Sequence, residues 1–306
     1  MLRSLVLAAA IAVPCLAQAA DVVGTITILE GQAQVFRGLG RVQAAEGVRL
    51  SAGDIVETAA ATFAQVEMVD QTIAQLGPAT RLMIGEVGPR QKGGRFLYLM
   101  NGWIKLVAPK REAGAAPGLD LRSAQFEVPA AQATVVLHSL PGTLDAFAES
   151  GSARIVERQP GGNAGGTMSL KSGDYYQRKF PSRGVVASVS PPAFVADMPR
   201  AFRDSLPPRM ERFKERVVQP KDAPAFDYAD VEAWLQAEPV VRRPLMQRWR
   251  SKAREPAFRA ALVANLRAHP EWDPILFPEK YLPKDPPRPA VAVGRAASEA
   301  ASSVAR

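Results

Sequence analysis

Two aspartates stand in matching settings, Leu50-Ser51-Ala52-Gly53-Asp54 and Leu170-Lys171-Ser172-Gly173-Asp174. A pair of carboxylates is enough to cleave a glycosidic bond. Each of these follows a glycine in a turn signal, where aspartate caps its own backbone, so Gly53, Asp54, Gly173 and Asp174 are read as structural turns and not as a catalytic pair. His138-Ser139 has the residue types of a base and a nucleophile, yet neither a nucleophile elbow nor a partnering acid accompanies it. In Thr134-Val135-Val136-Leu137-His138-Ser139 the period-two pattern makes His138 a partly buried strand residue instead. His138 and His269 are far apart and no cysteine motif joins them, so no metal set is expected. The glycines at 161, 162, 165 and 166 lack the Lys-Ser or Lys-Thr that ends a phosphate loop. The sequence therefore predicts no catalytic residue, no metal and no cofactor.

The most suggestive chemistry is basic. Arg242, Arg243, Arg248, Arg250, Lys252, Arg254 and Arg259 are interleaved with Trp249, and the pairs Arg248/Lys252 and Arg250/Arg254 are helical neighbours at a spacing of four. Arg248, Arg250, Lys252 and Arg254 are the expected contacts for an anion or a partner, set against the plainer reading of a solvated helix surface. Trp103 and Tyr175-Tyr176 have the types for a glycan platform, although such aromatics more commonly fill a core. Pro270-Glu271-Trp272-Asp273-Pro274 is expected to fold Trp272 onto the helices.

The elements that must carry these residues change character along the chain. From Val22 to Val189 short alternating runs are cut by glycine-rich turns, which predicts a β domain. Thr25-Ile26-Thr27-Ile28 and Gln65-Val66-Glu67-Met68 alternate strictly, as strands with one wet face do. Asn101-Gly102, between Phe96–Met100 and Trp103–Val107, predicts a hairpin turn. Gly31-Gln32-Ala33-Gln34-Val35 precedes Gly53 by the same 22 residues that separate Gly151-Ser152-Ala153-Arg154-Ile155 from Gly173, in copies offset by 120. One β unit used twice, with Leu50 and Leu170 inward, is the expectation. The predicted architecture is a rolled or solenoid-like stack of short antiparallel strands in preference to a closed barrel.

From Pro191 to Leu276 the signals are helical, giving an α+β chain overall. Pro199, Pro207, Pro244 and Pro256 are placed as first helical residues, and Asp227 as the cap of a helix burying Val231, Trp234 and Leu235. Leu245, Trp249 and Ala253 are assigned one face of the following helix, and Phe258, Leu262 and Leu266 continue the pattern. Residues 283–306, rich in Pro, Ala and Ser, are expected to be a disordered tail.

Of 306 residues 47% are hydrophobic, enough for a core, and 38 Lys plus Arg against 30 Asp plus Glu give a formal charge of +8. Met1-Leu2-Arg3-Ser4, an apolar run to Val13 and Ala17-Gln18-Ala19 form the pattern of a signal peptide over residues 1–19, removed after Ala19. Cys15 would leave with it, so an exported chain without disulfides is expected, with no stable transmembrane anchor and no nucleic-acid partner.

Val22 to about Lys179 resembles the periplasmic domain of the ferric-citrate regulator (FecR) family. The resemblance is carried by Gly31–Val35, by Gly47-Val48-Arg49-Leu50-Ser51-Ala52-Gly53-Asp54-Ile55-Val56-Glu57-Thr58, and by Leu76-Gly77-Pro78, Gly102-Trp103-Ile104, Phe126–Pro129 and Leu170–Asp174. At Leu140-Pro141-Gly142-Thr143 the chain departs from the family, which commonly has Arg before Gly-Thr. The resemblance implies an extracytoplasmic β domain that binds or senses and has no catalytic residues. The expectation is an envelope binding or scaffolding protein that contacts an envelope protein or an anionic cell-wall polymer. Two other roles stand beside it: an extracytoplasmic sensor acting through a membrane partner, and an envelope glycan hydrolase.

Overall fold

The structure, a computed structural model, describes residues 21–86, 95–109, 118–130 and 132–282. The expected signal peptide and C-terminal tail lie outside the described residues. Two compact units are present, one ending at Trp249 and one beginning at Arg250.

The first unit is β-rich. Its first eight strands are β1 (Val22–Glu30), β2 (Ala33–Arg37), β3 (Gly40–Gln43), β4 (Arg49–Ser51), β5 (Ile55–Thr58), β6 (Phe63–Met68), β7 (Ile73–Leu76) and β8 (Arg81–Glu86). They are followed by β9 (Arg95–Val107), β10 (Asp120–Arg122), β11 (Phe126–Val128), β12 (Gln132–Leu140) and β13 (Thr143–Arg158). Next come β14 (Ala164–Lys171), β15 (Tyr175–Lys179), β16 (Val185–Ala187) and the two-residue β17 (Lys221–Asp222). Helices α1 (Pro192–Asp197), α2 (Tyr228–Leu235) and α3 (Pro239–Arg248) complete the unit.

Two long strands bend and exchange partners at a glycine, and this closes the sheet. The first half of β9 pairs with β8 and, in parallel, with β10, while its second half pairs with β7 and β12. Residues 101–102 are thus the corner of a continuous strand and not a hairpin turn. Gly102 has φ +105°, and a Cβ there would come within 2.4 Å of the Thr80 Cα. β13 turns in the same way at Gly151, φ +74°, giving its first half to β12 and β15 and its second to β11 and β14. The pairings β9–β10–β11–β13–β12–β9 form a closed five-stranded barrel, which corrects the expected solenoid-like stack.

The sequence repeat is a repeat of turns more than of a unit. Leu50 and Leu170 are both buried, and Gly53 and Gly173 have φ +86° and +92°. Asp54 and Asp174 each accept from the backbone N–H three residues earlier, at 2.9 and 2.8 Å. The strands that follow differ in their pairing. β5 joins β2, after the first motif glycine, whereas β15 joins the half of β13 that precedes Gly151. A Cβ on Gly173 meets nothing within 4 Å, while one on Gly53 would fall 2.1 Å from an Arg248 guanidinium nitrogen. Gly173→Ala is therefore expected to cost about 1–2 kcal/mol from the left-handed backbone alone. Gly53→Ala should cost more, since Arg248 must also leave its bond to the Gly53 carbonyl. Equal losses in urea unfolding would contradict this.

The face expected to be wet is covered. Thr27, Gln65, Glu67, Gln75 and Lys105 are all buried, because residues 191–227 form a strap across it. Phe194 and Phe202 pack on Trp103. Lys105 donates to the Phe202 carbonyl at 2.6 Å and pairs with Glu149 at 2.7 Å. Glu67 accepts from the backbone N–H groups of Arg209 (2.6 Å) and Met210 (3.0 Å), from Thr27 (2.7 Å) and from Gln65 (3.1 Å). Polar side chains are buried here because each meets at least one partner that the strap or its neighbours supply, while the Gln75 Oε1 is left without one.

Beyond the strap, β17 pairs with the edge strand β3, and α2 starts at Asp227 with a capping box to Asp230. Val231, Trp234 and Leu235 are buried, as their spacing predicts. Pro244 is inside α3, which begins at Pro239, and not at a helix start. Its ring leaves the Val240 carbonyl without its helical donor, and Val240 is exposed, so water can replace it. Pro199 precedes a 3-10 turn at Arg200–Arg203, and Pro207 starts no helix.

The second unit holds α4 (Pro256–Ala264), which does begin at Pro256, and α5 (Asp273–Leu276). Phe258, Leu262, His269 and Trp272 are buried, whereas Leu266 is only partly so. Arg259 donates to the Leu276 carbonyl. Ala253, assigned by spacing to the face of Leu245 and Trp249, belongs to this unit, since α3 stops at Arg248. The helical region read as one piece from Pro191 is thus divided. Among the described residues no helix is long and apolar enough to cross a membrane.

Candidate functional site

The acid, base and nucleophile candidates are engaged in holding the fold. Asp54 receives Arg37 in a forked contact, 2.6 Å at its shortest, besides the Ser51 N–H. His138 lies flat on Trp103, with ring centroids 4.0 Å apart and planes 8° from parallel. Burial pushes its pKa below the ordinary 6.5, against the opposing pull of Asp145 and Asp197. Ser139, the next strand residue, projects from the opposite face and is fully buried, so the two side chains do not form a catalytic pair. Tyr175 donates to Asp145 and Tyr176 to Glu157 (3.1 Å); both tyrosines and Trp103 are core residues. Among the described residues no three His, Cys, Asp or Glu side chains converge as a metal set.

Of the four expected anion contacts, Arg248 and Lys252 are engaged within the fold, and Arg250 and Arg254 are exposed. Arg248, the last residue of α3, donates to the Gly53 carbonyl at 2.5 Å, and burial lowers its pKa against the charge of Asp54. It locks the first Gly-Asp turn. Lys252 is buried and pairs with Glu255 at 3.0 Å. Arg250 and Arg254 are exposed. The helical continuity from Arg248 to Arg254 is broken at Trp249, whose indole N–H donates to the Gly38 carbonyl at 3.0 Å.

An open cleft of about 560 Å³ lies elsewhere in the first unit, in the size range of small-ligand sites. It is lined by Gly31–Gln34, Arg41, Gln43, Ala44, Glu57–Ala59 and the strap residues Ala223 and Pro224. Strand register explains its polarity. Lys221, Gln43, Gln34, Glu57, Arg81 and Asn101 are successive cross-strand partners over β17, β3, β2, β5, β8 and β9, so all six share one face. At about 4.8 Å per strand the row runs roughly 24 Å. The neighbouring row contains Phe36, which carries Phe226 edge-on at 5.5 Å. Phe226 in turn meets Trp249 at 5.4 Å.

Glu57 is the pivot of the row. It accepts the Trp234 indole N–H at 2.6 Å and lies 3.4 Å from Arg81. Burial raises its pKa above the ordinary 4.5, outweighing the Trp234 bond and the Arg81 charge. The native state therefore holds this proton more tightly than the unfolded chain. The group's stabilising contribution is complete below pH 4.5 and is lost as pH rises through the native value. Glu57→Gln removes that titration. Followed from about pH 4 to about pH 8, the melting temperature of the variant should gain on wild type as pH rises. A constant difference would remove the argument. Arg41 is held by Asp230 at 3.0 Å and by the Pro224 carbonyl, also at 3.0 Å.

The sequence reading passed over this cleft although its signal was present. In Gly31-Gln32-Ala33-Gln34-Val35 the glutamines alternate with small and apolar residues, placing both amides on one face.

These features define a β-rich protein with a C-terminal helical region. No family model matches the chain, and no curated protein matches it. Two solved structures of a "putative anti-sigma factor" from Parabacteroides distasonis ATCC 8503, at 2.50 and 1.65 Å resolution, are similar at 12% and 13% identity, each with a TM-score of 0.35. In both cases the match covers 44% of this chain and 59% of the other, so the chain spans about three fifths of the length of the proteins it matches.

Proposed function

We propose that the chain is an exported, non-catalytic recognition protein of the cell envelope. Its β-rich unit serves recognition, and its basic C-terminal region contacts an envelope protein or an anionic cell-wall polymer. The observation that carries the reading is the state of the candidate side chains: Asp54 and Asp174 are turn caps, and His138 and Ser139 face opposite ways, while the cleft beside Gln34 and Glu57 is open. The leader pattern of residues 1–19 and the resemblance of Val22–Lys179 to the FecR family support an extracytoplasmic setting.

Arg250 and Arg254 are the exposed members among the four expected anion contacts and carry the proposed anionic contact. Pelleting with insoluble peptidoglycan at low and at high salt tests this, since exposed charges act over about 10 Å at 0.1 M salt. The expected result is salt-sensitive retention that weakens in Arg250→Ala/Arg254→Ala. Capture of one stoichiometric inner-membrane protein by crosslinking in envelope extracts would instead assign the chain to extracytoplasmic sensing. Turnover of glycan by the purified protein would overturn the reading altogether.

A further inference from the structure

We infer that the cleft over β2, β3 and β5 is a binding site for an uncharged oligosaccharide. The inference rests on the reading that the chain recognises and does not cleave, and it uses none of the basic residues above. What the cleft offers, and what it withholds, selects the ligand.

A charged ligand finds no unmatched charge at the centre of the cleft. Arg41 is paired with Asp230, and Glu57 with Arg81 and the Trp234 N–H. Over β2, β3 and β5 an extended peptide finds no strand edge. β2 lies between β3 and β5, and β5 between β2 and β8, so their backbone groups are already in ladders, while β17 occupies the outer side of β3. An apolar ligand finds only alanines and Pro224. What remains available is a set of side-chain amides: Gln32 and Gln43, both exposed, and the part of the half-buried Gln34 amide that does not donate to Glu57.

Groups that donate and accept at once are what hydroxyls require, because a hydroxyl does both. The row that continues the cleft repeats polar side chains once per strand over roughly 24 Å, which suits a linear polymer more than a single sugar. No aromatic ring lines the cleft, so stacking is missing and binding is weak.

The test is an NMR shift titration of the whole protein with cellotetraose and with tetra-N-acetylchitotetraose. Saturable shifts around residues 31–34, 41–44 and 57–59 are expected with at least one of them. The dissociation constant should rise at least tenfold in Gln34→Ala/Gln43→Ala and stay unchanged in Lys179→Ala, on a distant exposed strand position. If the double variant fails to fold, Gln32→Ala in the exposed turn replaces it, with a loss of severalfold expected. Absence of saturable binding to either sugar, or equal binding by wild type and cleft variants, overturns the site. Binding of polyglutamate or oligolysine at these residues in place of sugar overturns the ligand class. Any of these results leaves peptidoglycan pelleting through Arg250 and Arg254 intact, whereas hydrolysis of the tetrasaccharides would overturn the non-catalytic reading itself.

Discussion

A chain comprising residues 21–249 is expected to fold and to melt cooperatively, and one comprising residues 21–189 is expected to aggregate or remain unfolded. The second ends where the alternating sequence pattern ends. The reason it fails lies in what residues 190–249 bury. Phe194, Phe202, Phe213, Phe226, Trp234 and Trp249 are each 9% exposed or less. Burial of one such side chain contributes about 1.5–3 kcal/mol, so six of them approach or exceed the roughly 5–15 kcal/mol of a typical domain's net stability. Removing the strap would also bare the apolar row of Phe36, Ile55 and Met83 and leave Lys105 and Glu67 without their strap partners. Arg248 and Trp249 make the last anchoring bonds, to Gly53 and Gly38, and residue 249 is therefore the earliest end point that keeps the unit whole. Circular dichroism and urea unfolding of the two fragments decide it. A cooperative transition in the shorter fragment, at the denaturant midpoint of the longer one, would show that the strap is dispensable.

The same segment explains what could and could not be read from the residues. Local signals were legible: the Gly-Asp turns at 53–54 and 173–174, the Asp227 cap, and the buried stripe of Val231, Trp234 and Leu235 depend on contacts a few residues apart. Long-range pairing was not. Asn101-Gly102 has the composition of a hairpin turn, but the two arms find four different strands, and a positive φ serves a corner as well as a turn. Thr27, Gln65 and Glu67 read as solvent-facing because alternation reports polarity and not whether water or a later segment satisfies it. The cleft was hidden for a related reason. Gln43, Gln34, Glu57 and Arg81 are spread over 48 residues of chain, and only the register of β3, β2, β5 and β8 brings them into one row.

Glu67→Ala is expected to be the most damaging single change to the strap's attachment. The carboxylate is 4% exposed and accepts four donors, two of them the backbone N–H groups of Arg209 and Met210 at the start of the 3-10 turn Met210–Phe213. Thr27 and Gln65 keep a weaker bond to one another, at 3.4 Å, but among the described residues the two backbone donors have no second acceptor. A buried donor left unsatisfied costs about 1–3 kcal/mol, and bonds to an ionised acceptor are the stronger kind, so a loss of about 3–5 kcal/mol is expected. Glu67→Gln should fall between wild type and alanine. Its carbonyl can still serve Thr27, Gln65 and Arg209, but its amide nitrogen would face the Met210 N–H, donor against donor. The strap carries Arg203, Arg209, Arg212, Lys214 and Arg216, so its release can be read directly with trypsin. Cleavage between residues 203 and 216 should accelerate in the order wild type, Glu67→Gln, Glu67→Ala, before global unfolding, because opening that loses few contacts is favoured over opening that loses many. If the alanine variant kept wild-type stability and wild-type resistance at these sites, the strap would have to be held by its aromatic contacts alone, with the buried carboxylate contributing nothing to its position.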